Sequence, residues 1–181
     1  MDAAKMIPAS VSDSERKASM QKTWVRILTT LTTLGLMVMI FCFSTQPAEQ
    51  SDATSGFLAV RIADRLRPEW RSLPEKEKKE FYDGIQHTVR KCAHFTEFAL
   101  LGISLRLCLE SWRGSGKNNG LPSWGGGTGY AALDELHQLM VDGRSGQWTD
   151  ILLDSAGVFC GVLLTALVLK RLFRGQAART K

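Results

Sequence analysis

Asp134-Glu135-Leu136-His137-Gln138 puts four polar or ionisable side chains into five positions of an otherwise apolar, glycine-rich stretch. Two further apolar segments carry similar groups, Arg90-Lys91-Cys92-Ala93-His94-Phe95-Thr96-Glu97 and Asp150-Ile151-Leu152-Leu153-Asp154. These residue types offer proton transfer and anion binding. His94 or His137 can move protons near neutral pH, with Glu97, Asp134 or Glu135 orienting the imidazole. Arg90, Lys91 and Arg144 suit a phosphate or carboxylate, and Gln138, Asp150 and Asp154 complete a ligand-binding set. Two His among several carboxylates also suit a divalent ion such as Zn²⁺. No metal ligands are assigned, because buried His–carboxylate pairs more often serve as hydrogen-bonded partners. Asp142-x-Arg144 lacks the acidic pattern of a calcium loop, and the sequence leaves any cofactor open.

Helical spacing gives each cluster a common face. Arg90, His94 and Glu97 follow i, i+4, i+7; Asp134, His137 and Gln138 follow i, i+3, i+4; Asp150, Asp154, Gly157 and Gly161 form one stripe. An ionised side chain at the centre of a membrane helix costs about 2.5–3.5 kcal/mol. Several together are therefore expected to satisfy one another in a buried or wet pocket instead of facing lipid.

The elements that must position these groups are membrane helices. The 181 residues suit one domain, and 23% charged residues with a mean hydropathy near zero would pass for a soluble protein. The average hides long apolar runs. Spans are expected at about 24–43, 92–110, 124–141 and 149–169, each close to the roughly 20 residues that cross a bilayer. Arg26 interrupts the first. Ser44-Thr45-Gln46-Pro47 should end it, since proline breaks a continuing helix. A cleaved signal peptide fits poorly, because the polar leader is long and no A-x-A site follows.

Between spans one and two, Leu58, Ile62 and Leu66 share the face of an amphipathic helix over 51–67, stopped by Pro68. It either lies on the bilayer, with Trp70 at headgroup level, or packs on the bundle. Leu73-Pro74-Glu75 predicts a helix start that runs past Asp83-Gly84 into span two. Gly157-x-x-x-Gly161 predicts a close helix crossing. Cys42, Cys92, Cys108 and Cys160 form no paired motif and read as small apolar residues. Trp24, Trp112, Trp124 and Trp148 read as interfacial anchors. The expected architecture is all-α: a four-transmembrane-helix bundle over 24–170, with an extra amphipathic segment, a flexible cytoplasmic tail at 1–23 and a basic cytoplasmic tail at 171–181.

An even number of spans puts both termini on one side. Five Lys/Arg in residues 1–26 and five more in 170–181 favour the cytoplasm for that side. The 45–91 loop carries nine Lys/Arg balanced by eight acids. The net charge of +5 serves topology and implies no nucleic acid. Antiparallel spans bring the three polar clusters to one end of the bundle, and Arg144 hangs over the opening. Arg106 and Glu110, an i, i+4 pair, are the polar groups expected at the other end.

Arg90-Lys91-x-Ala93-His94-Phe95-x-Glu97, Asp134-Glu135-x-His137-Gln138 and Gly143-Arg144 followed by Asp150, Asp154 and Gly157 resemble the VanZ-like family of bacterial membrane proteins. Phe43-Ser44-x-Gln46 and Ser51 resemble its first-span exit. The resemblance covers roughly residues 24–170. Phe98 stands where tyrosine is common, Asp142 precedes Gly143 where proline is frequent, and the charged 45–91 loop is less typical. The resemblance implies four spans and a cell-envelope role. The family's namesake lowers sensitivity to the lipoglycopeptide teicoplanin, and most members have no assigned chemistry.

Four functional readings follow. A polar site at the outer leaflet binds or modifies a lipid-linked envelope precursor or a lipoglycopeptide. The cluster instead holds a divalent ion, or relays protons in a carrier, although no inverted repeat is evident. Or it is an internal lock in a non-catalytic scaffold. Oligomeric state is open.

Overall fold

The computed structural model describes residues 13–46, 48–114, 117–141 and 146–179, with the backbone alone for 48–54 and 173–179. These residues form five α-helices and no strand: α1 (Asp13–Ser44), α2 (Ala48–Leu66), α3 (Glu75–Arg113), α4 (Gly120–Gln138) and α5 (Trp148–Arg179). A short 3-10 turn, Pro68–Ser72, joins α2 to α3.

Good helix formers explain why α1 begins well before its apolar run. Glu15, Arg16, Lys17, Ala18, Met20, Gln21 and Lys22 keep the chain helical. The expected flexible tail is therefore helical from Asp13, and the basic C-terminal segment continues α5 to Arg179. At α1's other end, Ser44 is the last helical residue, as the approach to Pro47 predicts. Helix α3 starts at Glu75 behind Pro74 and runs unbroken through Asp83 and Gly84 for 39 residues. It ends at Gly114, whose φ of 86° suits glycine, with its N–H donating to Glu110 O at 2.9 Å.

Helices α1, α3 and α5 are long and apolar enough to cross a membrane. Helix α4 is not in that set. Its glycines and its Asp134–Gln138 row lower its hydropathy, although one face of it, from Ser123 through Gly127 and Ala131 to Gln138, is buried in the bundle. Of the four expected spans, three are supported by length and composition among the described residues.

Helix α3 is the central element, packed against α1, α2, α4 and α5. Thr33 Oγ1 and Ser104 Oγ lie 2.7 Å apart, and Arg26 Nε donates to Ser111 O at 3.0 Å, so α1 runs antiparallel to α3. Helix α5 runs parallel to α3. Gly157 lies against the backbone of Phe95 and Gly161 against that of Ala99, which is the predicted small-residue crossing. Trp124 reaches Ser155 while Glu135 reaches Gln147, so α4 returns antiparallel to α5.

Ile40, Phe98, Leu101, Ala131, Val158 and Val162 form the core. Leu28, Leu31 and Val38 of α1 and Phe159, Leu163 and Leu164 of α5 face outward. The outside of the bundle is therefore as apolar as its centre, and close packing must hold the helices together once lipid surrounds them.

Of the two placements open to the amphipathic segment, packing on the bundle is the one observed. Helix α2 lies along the N-terminal half of α3. Trp70 is only 7% exposed. It stacks on Tyr82 at 5.6 Å between ring centroids and donates from Nε1 to Asp64 Oδ1 at 2.8 Å.

Candidate functional site

The site is built where α1 ends, α3 enters its apolar half, α4 ends and α5 begins. Six of the sequence-derived candidates, Lys91, His94, Glu135, Gln138, Asp150 and Asp154, line one cavity together with Leu153. Its volume, about 20 Å³ open to the centres of water molecules, holds about one water.

Three carboxylates here are almost wholly buried: Asp134 at 3% exposure, Glu135 at 5% and Asp154 at 2%. Buried charge demands partners, and the local elements supply some of them. Helix α1 ends so that Ser44 Oγ donates to Asp134 Oδ2 at 2.7 Å. One turn along α4, Gln138 Nε2 donates to the same oxygen at 2.9 Å and lies 3.3 Å from Ser44 Oγ. Asp134 thus sits beside the cavity, tied to α1. Glu135 points the other way and accepts the backbone N–H of Gln147, holding the start of α5. Lys91 and Asp150 form an ion pair between α3 and α5 at the cavity's edge, both side chains about one-third exposed.

The donors do not cover the acceptors. Asp134 Oδ1 and Asp154 Oδ1 are buried without a hydrogen-bond partner among the described residues. The chemical character of the cavity follows: it is acceptor-rich, and it favours a donor such as water, a hydroxyl or an ammonium group.

The remaining candidates are placed differently. His137 faces α1, its ring 4.5 Å from that of Phe41, and its buried Nε2 makes no hydrogen bond among the described residues. It shares a helix with Asp134 but does not line the cavity. Arg90 is half-buried on α3 beside Lys91. Glu97 lines a different feature, a large apolar groove between α2 and α3. Arg144 lies outside the described residues, as does Asp142. Among the described residues, no three of His, Cys, Asp and Glu are grouped as a metal site.

That groove measures about 830 Å³ and is floored by Ile85, Val89, Cys92, Ala93 and Thr96 of α3, with Leu58 and Ile62 opposite. The expected apolar face of α2 forms one side of it. Groove and polar cavity use opposite faces of the same turns of α3.

Four participants were not among the sequence candidates: Ser44, Phe41, Gln147 and Tyr130, whose hydroxyl donates to Met37 O at 2.6 Å. Only Ser44 carried a sequence signal, as the polar residue ending the first apolar run. The others are recruited by tertiary packing.

A family model described as VanZ/LLP1 matches residues 29–170. No curated protein and no solved structure matches the chain.

Proposed function

The chain belongs to the VanZ/LLP1 family, and from that premise we propose that it is a multi-pass protein of the bacterial cell membrane whose polar cavity binds or modifies a lipid-linked envelope molecule at the outer leaflet. In this reading α4 is a fourth span and both termini are cytoplasmic. The ten Lys/Arg flanking the first and last spans support that orientation. The observation that carries the proposal is the back-to-back arrangement on α3: an apolar groove of about 830 Å³ behind an acceptor-rich cavity of water size. A lipid-linked molecule has the matching halves.

Its tail lies along the groove, and a headgroup hydroxyl or ammonium enters the cavity and donates to Asp154 and Glu135. Arg90 and Lys91 hold the phosphate or carboxylate at the rim, the ligand class for which the sequence also nominates Arg144. If the molecule is modified, His94 is the proton carrier nearest the head, with Glu135 or Asp154 beside it. An effect on sensitivity to teicoplanin-type antibiotics would follow from occupation or alteration of that molecule.

Native mass spectrometry of the detergent-purified protein with a long-chain polyprenyl phosphate sugar tests the reading. The wild type should retain the lipid, and Lys91→Met and Asp154→Asn should each lose at least about tenfold in retention, since a charge-assisted contact is worth about 1.5–3 kcal/mol. Equal retention by all three proteins refutes it. A proton-transfer role fails separately if a stable His94→Ala/His137→Ala variant keeps full teicoplanin tolerance in cells.

The scaffold reading has one observation in its favour. Ser44–Asp134–Gln138 and Lys91–Asp150 each tie helices together. It predicts that Asp154→Asn lowers abundance without changing lipid retention per molecule.

A further inference from the structure

The opposite end of the bundle holds a second cavity, of about 600 Å³, between the first turns of α1's apolar run and the C-terminal end of α3. Gln21, Lys22 and Arg26 line it from α1, and Ser111, Trp112 and Arg113 from α3. We propose that this cavity binds the phosphate headgroup of an anionic phospholipid in the leaflet on the side of the termini.

Charge is the first argument. Three cations line the cavity, and the carboxylate among its lining groups, Glu110, is already paired with Arg106 at 2.8 Å. Lys22 and Arg113 are exposed and make no hydrogen bond or ion pair among the described residues. The cavity therefore presents net positive charge to whatever enters.

Preorganisation is the second. The Arg26 guanidinium is fixed from two directions: Nε donates to Ser111 O at 3.0 Å, and its carbon lies 5.2 Å from the centroid of the Trp112 ring. Trp112 is itself held by donation from Nε1 to Thr30 Oγ1 at 3.0 Å. The two terminal nitrogens of Arg26 are left as a fork for two phosphate oxygens, the geometry that favours arginine over lysine at such sites. An arginine that interrupts an apolar run in the sequence thus has a local purpose.

Depth is the third. Trp24 and Trp112 are 69% and 55% exposed beside the cavity, and interfacial tryptophans mark the headgroup level. Below it, Leu28 and Leu31 of α1 are 66% and 61% exposed. An apolar surface thus runs on from the cationic mouth. A free phosphate uses only the mouth, whereas a phospholipid uses both. Basic pockets between membrane helices bind anionic headgroups by this combination.

This inference shares no residue with the proposed envelope-lipid site and stands or falls separately. The test is native mass spectrometry and thermal unfolding of the full-length protein in neutral detergent. Phosphatidylglycerol, phosphatidylcholine and inorganic phosphate are added in turn. The expected result is retention of, and a raised unfolding midpoint with, phosphatidylglycerol alone. Removing basic groups near a membrane surface costs about fivefold each, so Lys22→Gln/Arg113→Gln should retain it at least about tenfold less well. Arg26→Lys, which keeps the charge but loses the fork, should also weaken retention. Equal retention of phosphatidylcholine, an unchanged double variant, or full competition by inorganic phosphate would each overturn the proposal. The lipid comparison on the wild type decides the matter even if a variant folds poorly.

Discussion

Gly161→Ala should loosen the α3–α5 crossing, while the chemically identical change Gly35→Ala should not. A methyl group at Gly161 would fall onto the carbonyl oxygen of Ala99, with the Ala99 carbonyl carbon and the Ile103 nitrogen both 3.0 Å away. All three obstacles are backbone atoms, so no rotamer change relieves the clash and the helices must separate. Overpacking of this kind costs about 1–3 kcal/mol, and the rigid neighbours argue for the upper end. Alanine's better helix propensity returns about 1 kcal/mol. A net loss of about 2 kcal/mol remains. At Gly35 nothing lies within 4 Å of the added methyl, so only the propensity gain of about 0.5–1 kcal/mol applies.

Thermal unfolding in detergent, followed by circular dichroism, measures both variants. For a chain of this size about 2 kcal/mol corresponds to roughly 4–8 °C, downward for Gly161→Ala, against a small rise for Gly35→Ala. The site offers an independent readout. Asp150 and Asp154 lie on the same stripe of α5 as Gly157 and Gly161, so separating the helices draws them away from Lys91 and His94. A Gly161→Ala midpoint at or above that of the wild type would show that α5 does not rest on the α3 backbone, and the account of how the cavity is held would fail with it.

Ser44→Ala removes one of two donors from the buried carboxylate of Asp134 and should lower stability by about 1.5–3 kcal/mol in the same melt. A loss below about 0.5 kcal/mol would mean that the α1–α4 tie carries no energy. Lys91→Met and Asp150→Asn should be non-additive, with a coupling of about 1 kcal/mol in a double-mutant cycle, kept modest because both groups are about one-third exposed. Strict additivity would remove the ion pair from the description of the cavity's edge. Trp70→Ala should cost about 3–5 kcal/mol locally. Its consequence is detachment of α2 from α3, detectable as new proteolytic cleavage between Leu66 and Glu75 while the melt of the remaining bundle is preserved.

The polar clusters were legible in the sequence because they violate a strong rule: ionisable groups inside apolar helices need partners, and an antiparallel arrangement brings them to one end. The long α3 was legible too, since Pro74 marks its start and nothing stronger than Gly84 interrupts it. Three features were not. That Asp134 turns to Ser44 while its neighbour Glu135 turns to Gln147 depends on the 100° between consecutive helical residues and on which helix lies on each side. Periodicity gives the first of these but not the second. His137 looked equivalent to His94 by spacing, yet it faces Phe41 because α1 occupies that side of α4. The sequence leaves Trp70 open between the headgroup level and the bundle; its burial comes from Tyr82 and Phe81 one element further on.

The length of α3 connects these observations. Its 39 residues rise about 58 Å at about 1.5 Å per residue, nearly twice the roughly 30 Å of hydrocarbon. From Lys91 to Arg113 the rise is about 33 Å, close to one hydrocarbon thickness. The helix therefore carries the acceptor-rich cavity and the cationic cavity about one hydrocarbon thickness apart, while its earlier turns support α2. Because α5 runs parallel to α3 with its backbone in contact at Gly157 and Gly161, Asp150 and Asp154 are fixed to the level of Lys91 and His94 by rigid elements. Flexible side-chain reach is not needed. A polar cluster held this way can keep acceptors such as Asp154 Oδ1 unsatisfied without collapsing around them. That standing demand for a donor is the property on which a binding role would depend.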